Sequence, residues 1–292
     1  MTTIDRAALV RTRLRTPDAI PAAWAARRPG AMPGDGRLLI IAADHPARGA
    51  LGVRDAGMAM ADRVDLLSRI STALGRPGVD GVLATPDVLE DLLLLGLLDD
   101  LLVFGSMNRG GLQGASFEFD DRFTAYDQAT IAAHGLDGGK MLTRIALDDP
   151  ATAPTLQACG AAVTDLASRG LYAMVEPFLS DRGPDCRARN LLDPDSVIRS
   201  IHIAAGLGAT SARTILKLPV VPEMARVLDA TTLPTLLLGG DPGPDPAATL
   251  GGWRSALAHP SAVGLVGGRA LLFPQDDDVA AAVDAAAELV HG

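Results

Sequence analysis

From residue 38 onward, short aliphatic runs alternate with longer amphipathic stretches. The runs are Leu38–Ala43, Gly81–Ala84, Leu101–Gly105, Met141–Leu147, Tyr172–Phe178, Thr214–Leu218, Thr235–Leu238 and Ala262–Val266. Each has the length of a strand and is rich in branched residues. Between them, apolar positions recur at helical spacing. Ala61–Leu74 carries Val64, Leu67, Ile70 and Leu74 on one face. Pro86 sits where a first helical turn tolerates it, ahead of Val88, Leu89, Leu92 and Leu93. Ala151–Ser168, Pro194–Gly206, Pro222–Leu228, Pro246–Leu257 and Asp277–Val290 continue the pattern, and Phe123–His134 is its weakest member. Eight strands alternating with helices predict an α/β chain closed into a single (β/α)8 TIM barrel over residues 38–292. An open doubly wound sheet is the structural rival.

Residues 1–37 stand apart. They hold seven arginines against Asp5, Asp18 and Asp35. This N-terminal Arg-rich extension reads as a helical cap under the barrel or an oligomer contact; a transit peptide has a similar composition.

The strand ends carry the polar residues. They read Asp44-His45, Thr85, Ser106-Met107-Asn108, Arg144, Glu176, Lys217, Gly239-Gly240-Asp241 and Gly267-Gly268-Arg269, on the face where barrels of this class place their chemistry. Strand alternation puts Ile40, Ala42 and Asp44 on one face, and likewise Lys140, Leu142 and Arg144; Tyr172, Met174 and Glu176; and Ile215, Lys217 and Pro219. Those charges therefore point inward with small or apolar neighbours. Arg144 and the rim residue His45 become candidates for binding substrate.

Composition narrows the function. The chain of 292 residues is 48% hydrophobic but only 3% aromatic, so aliphatic side chains must build the core. A formal charge of −9 disfavours nucleic acid, and an anionic substrate must find a local pocket of positive charge or aimed N–H groups. Two cysteines, Cys159 and Cys186, make no disulfide framework and suit a reducing cytoplasm. The longest aliphatic stretch, Leu92–Leu98, is far short of a membrane span. The five histidines are scattered, which argues against a metal site; no cofactor is expected.

Lys217 is the sharpest chemical signal, because it interrupts an aliphatic strand. Desolvation there favours the neutral amine, a nucleophile near neutral pH; a structural lysine paired to a carboxylate is the alternative. Lys140, sharing the lumen, would suppress a neighbouring charge, or else reach solvent from the strand's bottom. Glu176 could shuttle protons beside Lys217 or form a plain ion pair. Asp44 could accept a hydroxyl proton or cap the turn before His45-Pro46. Gly239, Gly240, Gly268 and Arg269 lie where barrels build phosphate sites, since glycine admits phosphate oxygens to backbone N–H groups and arginine adds a bidentate charge.

In this order the motifs resemble class I aldolases of the tagatose-1,6-bisphosphate and sulfofructose-phosphate aldolase type, and more distantly archaeal-type fructose-bisphosphate aldolases. The resemblance covers residues 38 to about 275. It rests on Ala43–Leu51 (the family's Asp-containing first strand end), Gly138–Leu142, Val175–Phe178, Ile215–Val220, Leu236–Gly240 and Gly264–Ala270. It implies that Lys217 forms an imine, Glu176 moves its protons, Asp44 acts as base on the cleaved carbinol, Lys140 tunes the lumen and Arg269 grips phosphate. The substrate it implies is a phosphorylated keto sugar or sugar acid, and such barrels associate into homo-oligomers. Three departures argue against a simple hexose bisphosphate: the extra residues between Asp44 and Arg48, the Gly-Gly-Asp end of the seventh strand where the tagatose group has a serine-containing end, and the arginine-bearing loop Leu179–Leu192. A deoxy-keto-gluconate phosphate is a related reading. A phosphosugar isomerase or epimerase on the same barrel, and a non-catalytic phosphosugar-binding protein, remain as alternatives.

Overall fold

Eight of the strands pair in parallel all the way round. A computed structural model describes residues 4–108, 111–240 and 245–292. Its strands are β1 (Leu38–Ala43), β2 (Gly81–Ala84), β3 (Leu102–Ser106), β4 (Gly138–Ile145), β5 (Tyr172–Arg182), β6 (Ala188–Asn190), β7 (Thr214–Pro219), β8 (Thr235–Leu238) and β9 (Ala262–Gly267). β1 pairs with both β2 and β9, and β4 pairs with β5, so the sheet closes and the open-sheet rival is excluded. β6 lies outside the barrel, antiparallel to the extended end of β5.

Alternation sorts the aliphatic residues into two layers. Ile40, Ala42, Leu83, Phe104, Met174, Ile215, Leu236 and Val266 fill the lumen. Their neighbours Leu39, Ile41, Val82, Val103, Val175, Leu216 and Leu265 face outward into the surrounding helices. Those helices start where an aspartate accepts from the first free N–H groups. Asp62 does so for Arg63–Leu74, Asp193 for Pro194–Ala205, Asp245 for Pro246–Leu257 and Asp278 for Val279–His291. In two of these cases proline follows directly, supplying a first residue that needs no N–H partner. The segment expected to be the weakest helix shrinks to Gln128–Ala133, with Phe123 bridging to Asn108 instead.

β4 begins three residues earlier than the aliphatic run suggests. Gly138 and Gly139 are its first residues, and both are packed too closely to carry a side chain. A Cβ on Gly138 would stand 2.4 Å from the Tyr172 carbonyl oxygen, and one on Gly139 2.4 Å from the Met107 sulfur. Lys140 is thus a lumen residue in register with Met174, and it does not reach solvent.

The barrel closes at a tighter point. The β8–β9 register slips past Val263, and Gly264 takes φ +153° with a hypothetical Cβ only 1.9 Å from the Leu38 carbonyl oxygen. No L side chain fits there. Gly264→Ala is expected to cost about 2 kcal/mol or more, read as a lowered urea midpoint at unchanged slope.

Two N-terminal helices, Arg6–Arg15 and Ala19–Ala26, pack against the barrel. Arg13 reaches Asp91 at 2.7 Å. Trp24 stacks on His134 with ring centroids 5.1 Å apart. Arg27 donates to the carbonyls of Leu101 (3.0 Å) and Gly135 (2.6 Å), which lie just ahead of β3 and β4. Arg13 thus anchors the cap on a buried carboxylate and Arg27 on backbone carbonyls. No helix among the described residues is long and apolar enough to cross a membrane.

Candidate active site

The inward charges of β1, β4, β5 and β7 meet in one buried line. Lys140 Nζ lies 2.8 Å from Asp44 Oδ2 and 2.6 Å from Glu176 Oε2, and Lys217 Nζ lies 3.0 Å from Glu176 Oε1. The strand register dictates this order. Met174 aligns with Ile215, so two residues on Glu176 stands level with Lys217, one side-chain layer above Lys140. All four side chains are buried. Removed from water, they persist as ions only through one another.

The two lysines are treated differently. Burial pushes both toward the neutral amine. For Lys140, contact with Asp44 and Glu176 outweighs burial, and its pKa ends above the ordinary lysine value. Among the described residues Lys217 pairs with Glu176 alone; burial, aided by the positive charge of Lys140, outweighs that contact, and its pKa stays lowered. Burial raises the carboxylates, but Lys140 and Lys217 more than reverse this, bringing Glu176 down to about 2. Asp44 likewise ends well below its usual value, through Lys140, His45 and Lys217. The set therefore holds two carboxylates, one firm ammonium and one amine that gives up its proton readily.

Lys217 and Glu176 line a cavity of 820 Å³ formed by the ends of β1, β4, β5, β7, β8 and β9. Lys140 and Asp44 are not among its lining residues. The predicted binding residues Arg144, His45, Gly239, Gly240, Gly268 and Arg269 do line it. Asp241 lies outside the described residues. His45 opens a 3₁₀ turn, His45–Arg48, with its Nδ1 3.7 Å from Asp44 Oδ1. Burial lowers its pKa to about 3, aided by Arg48, Arg269 and Lys217 against the pull of Asp44, so it stays neutral at physiological pH.

Some expected roles acquire a different physical basis. A Cβ on Gly268 would fall 2.9 Å from the Ala42 carbonyl oxygen and 3.1 Å from His45 Cε1. Packing alone therefore requires glycine there, whether or not a phosphate approaches. Arg144 is partly committed, since its Nη1 binds Glu118 Oε1 at 2.6 Å. Glu118 was invisible to sequence reasoning, because the segment around it shows no periodicity. The stretch expected as a loop, Leu179–Leu192, is the β5–β6 hairpin, which brings Asn190 and Leu192 to the cavity wall. Asn108, buried after β3, grips the backbone N–H and C=O of Leu142 at 2.9 and 2.8 Å. It thereby fixes β4 between Lys140 and Arg144. Among the described residues no three His, Cys, Asp or Glu side chains group as a metal site.

A family model described as Cgl0159-like matches residues 36–287. The chain belongs to the Cgl0159-like family. The crystal structure of Cgl0159 from Corynebacterium glutamicum (Brevibacterium flavum) is similar at 52% identity with a TM-score of 0.96, over 100% of this chain and 99% of that one. The architecture of the family is shared with Schiff-base aldolases. An archaeal fructose 1,6-bisphosphate aldolase aligns at 17% identity and TM-score 0.63, over 93% and 98% of the two chains. An archaeal fructose-1,6-bisphosphate aldolase whose catalytic lysine is covalently bound to the carbinolamine intermediate aligns at 18% and 0.64, over 94% and 100%. At such identities the likeness is one of fold. A comparison with curated proteins finds no match.

Proposed function

We propose that this member of the Cgl0159-like family is a class I aldolase, a metal-independent aldehyde-lyase. It would make or break a carbon–carbon bond of a phosphorylated keto sugar or sugar acid through an imine on Lys217. The observation that carries this reading is the contrast between the lysines. Lys140 is held as an ammonium by two carboxylates, while Lys217, with one, faces the cavity and tends to the free amine. A lysine meant only for structure would be expected at the better-paired position.

In the cleavage direction, the Lys217 amine adds to the keto carbonyl. Glu176, 3.0 Å away, carries the proton lost by nitrogen to the carbinolamine oxygen, and a second proton, taken up from solvent, lets water leave as the protonated imine forms. The imine then accepts the electron pair of the breaking bond, becoming an enamine, while the β-hydroxyl gives its proton to a carboxylate and the aldehyde departs. Asp44 fits that role through Oδ1, since Oδ2 is bound to Lys140. Because Asp44 lies outside the cavity lining, the hydroxyl must reach past Ala42 and His45. Protonation of the enamine and hydrolysis of the imine restore Lys217. Lys140 stays protonated throughout, returning both carboxylates to the ionised form after each proton transfer and keeping its neighbour's charge suppressed. The glycine ends of β8 and β9 with Arg269 would hold the phosphate of the ketone half.

Glu176→Gln keeps the shape but not the proton relay. It is expected to lower kcat by about 10²–10³ with a smaller change in KM. The proposal itself is tested by borohydride reduction in the presence of dihydroxyacetone phosphate, read by intact mass. A stoichiometric covalent adduct is expected. Deuterium exchange into ketose phosphates without any adduct would replace the aldolase by an isomerase acting through an enediolate.

A further inference from the structure

The carboxylate assigned to the β-hydroxyl proton sits behind the wall of the cavity. Asp44 is not among the lining residues, whereas its neighbour His45 is. Asp44 Oδ2 is taken by Lys140 at 2.8 Å. Asp44 Oδ1 faces His45 Nδ1 at 3.7 Å, and Nδ1 is buried with no hydrogen-bond partner among the described residues. That separation is about half an ångström longer than a hydrogen bond, and catalytic contacts of this kind commonly tighten when substrate binds.

Packing holds the ring in place. A Cβ on Gly268 would come within 3.1 Å of His45 Cε1 and 3.5 Å of Nδ1, so the backbone after β9 lies against that edge of the imidazole. A carboxylate can only accept, so Nδ1 carries the ring's proton and Nε2 is a bare acceptor. With Nδ1 turned toward Asp44, Nε2 is the nitrogen available to a molecule in the cavity. Burial, with Arg48, Arg269 and Lys217, disfavours the imidazolium. The ring therefore takes up one proton only by releasing another.

We propose that His45 is a catalytic residue, a proton relay between the substrate's β-hydroxyl and Asp44. The proposal rests on the aldolase reading. As the carbon–carbon bond breaks, its electron pair moves into the imine and the hydroxyl proton passes to Nε2. In the same step Nδ1 releases its proton to Asp44 Oδ1. The ring changes tautomer without becoming charged, and the aldehyde leaves. Asp44 then returns its proton to Nδ1 while Nε2 delivers the other to the enamine carbon, which restores both groups. A proton passed through the ring removes the need for the hydroxyl to reach Asp44 itself.

The test uses His45→Asn, whose amide can still donate to Asp44 from near the Nδ1 position but offers no counterpart of Nε2. His45→Gln serves as a second variant. Two quantities are read on each protein with dihydroxyacetone phosphate. The borohydride-reduced adduct reports imine formation, which runs through Glu176 and needs no imidazole. Exchange of the ligand's carbon-bound hydrogen in heavy water, followed by NMR, reports proton transfer at the enamine carbon. In His45→Asn the adduct yield should match the wild type while exchange slows by about 10²–10³. The kcat for addition to glyceraldehyde 3-phosphate should fall by a similar factor, with a far smaller change in KM. Undiminished exchange in His45→Asn overturns the relay. Adduct and exchange lost together in both variants also overturn it, since that is the mark of a structural or purely substrate-binding histidine. A wild-type protein that gives no adduct instead overturns the aldolase reading, and the relay falls with it.

Discussion

Lys217→Met should abolish turnover, by about four orders of magnitude or more, while leaving a protein as stable as the parent within about 1 kcal/mol. The two halves of this expectation have separate causes. Activity disappears because, among the described residues, no other amine faces the cavity: the neighbouring Lys140 is held by Asp44 and Glu176 and stays charged. Stability survives because Glu176 retains Lys140 as its partner, and methionine replaces a buried, poorly compensated amine by an apolar side chain of similar length. Steady-state kinetics and urea unfolding measured on one preparation check both. A Lys217→Met protein with substantial activity would remove the imine from the account.

Lys140→Met should behave in the opposite manner. Asp44 then loses its hydrogen-bonded ion-pair partner inside the barrel, and breaking such a pair costs about 3–5 kcal/mol. The loss depends on pH with a defined sign. The pKa of Asp44 is depressed in the folded protein, so its stabilising contribution is present above the unfolded value and disappears as pH falls through the folded one. The gap between parent and variant should thus be widest near neutrality and close as the solution becomes acid enough to protonate Asp44 in the variant. Activity should shift as well. Lys140 helps depress Lys217, and it also draws on Glu176, the carboxylate that would otherwise hold Lys217 protonated. Removing it raises the Lys217 pKa on both counts, so the acid limb of kcat/KM moves to higher pH and the rate at neutral pH falls. A pH profile with an unmoved acid limb would show that Lys140 does not tune the nucleophile.

The barrel was legible because closure leaves the strands buried on both faces, and eight aliphatic runs separated by helical periodicity have few other solutions. The inward set was legible for a related reason. A charge in phase with lumen residues at a strand's end has one place to go, so Asp44, Glu176 and Lys217 could be placed by counting in twos. Lys140 was harder. Gly138-Gly139 allows Lys140 to be read as reaching solvent from the strand's bottom, whereas crowding by the Tyr172 carbonyl and the Met107 sulfur makes these glycines the first two rungs of β4. The division of labour between the lysines was out of reach, since it turns on one extra carboxylate contact made across the barrel. The β5–β6 hairpin lacks apolar alternation and is held by backbone pairing over Ser180–Arg182, which leaves no mark in hydropathy. Glu118, the partner of Arg144, is equally silent in the pattern. Gly268 shows the converse, one residue type answering to two physical demands. A glycine attributed to phosphate approach is already demanded by its contact with His45 and the Ala42 carbonyl.

The most direct measurement is peptide mapping of the borohydride-reduced adduct formed with dihydroxyacetone phosphate, because both buried lysines lie within one strand layer of each other. The modification is expected on Lys217 alone, with the peptide bearing Lys140 unchanged. Modification of Lys140, or of neither lysine, would contradict the assignment of the free amine on which the account is built.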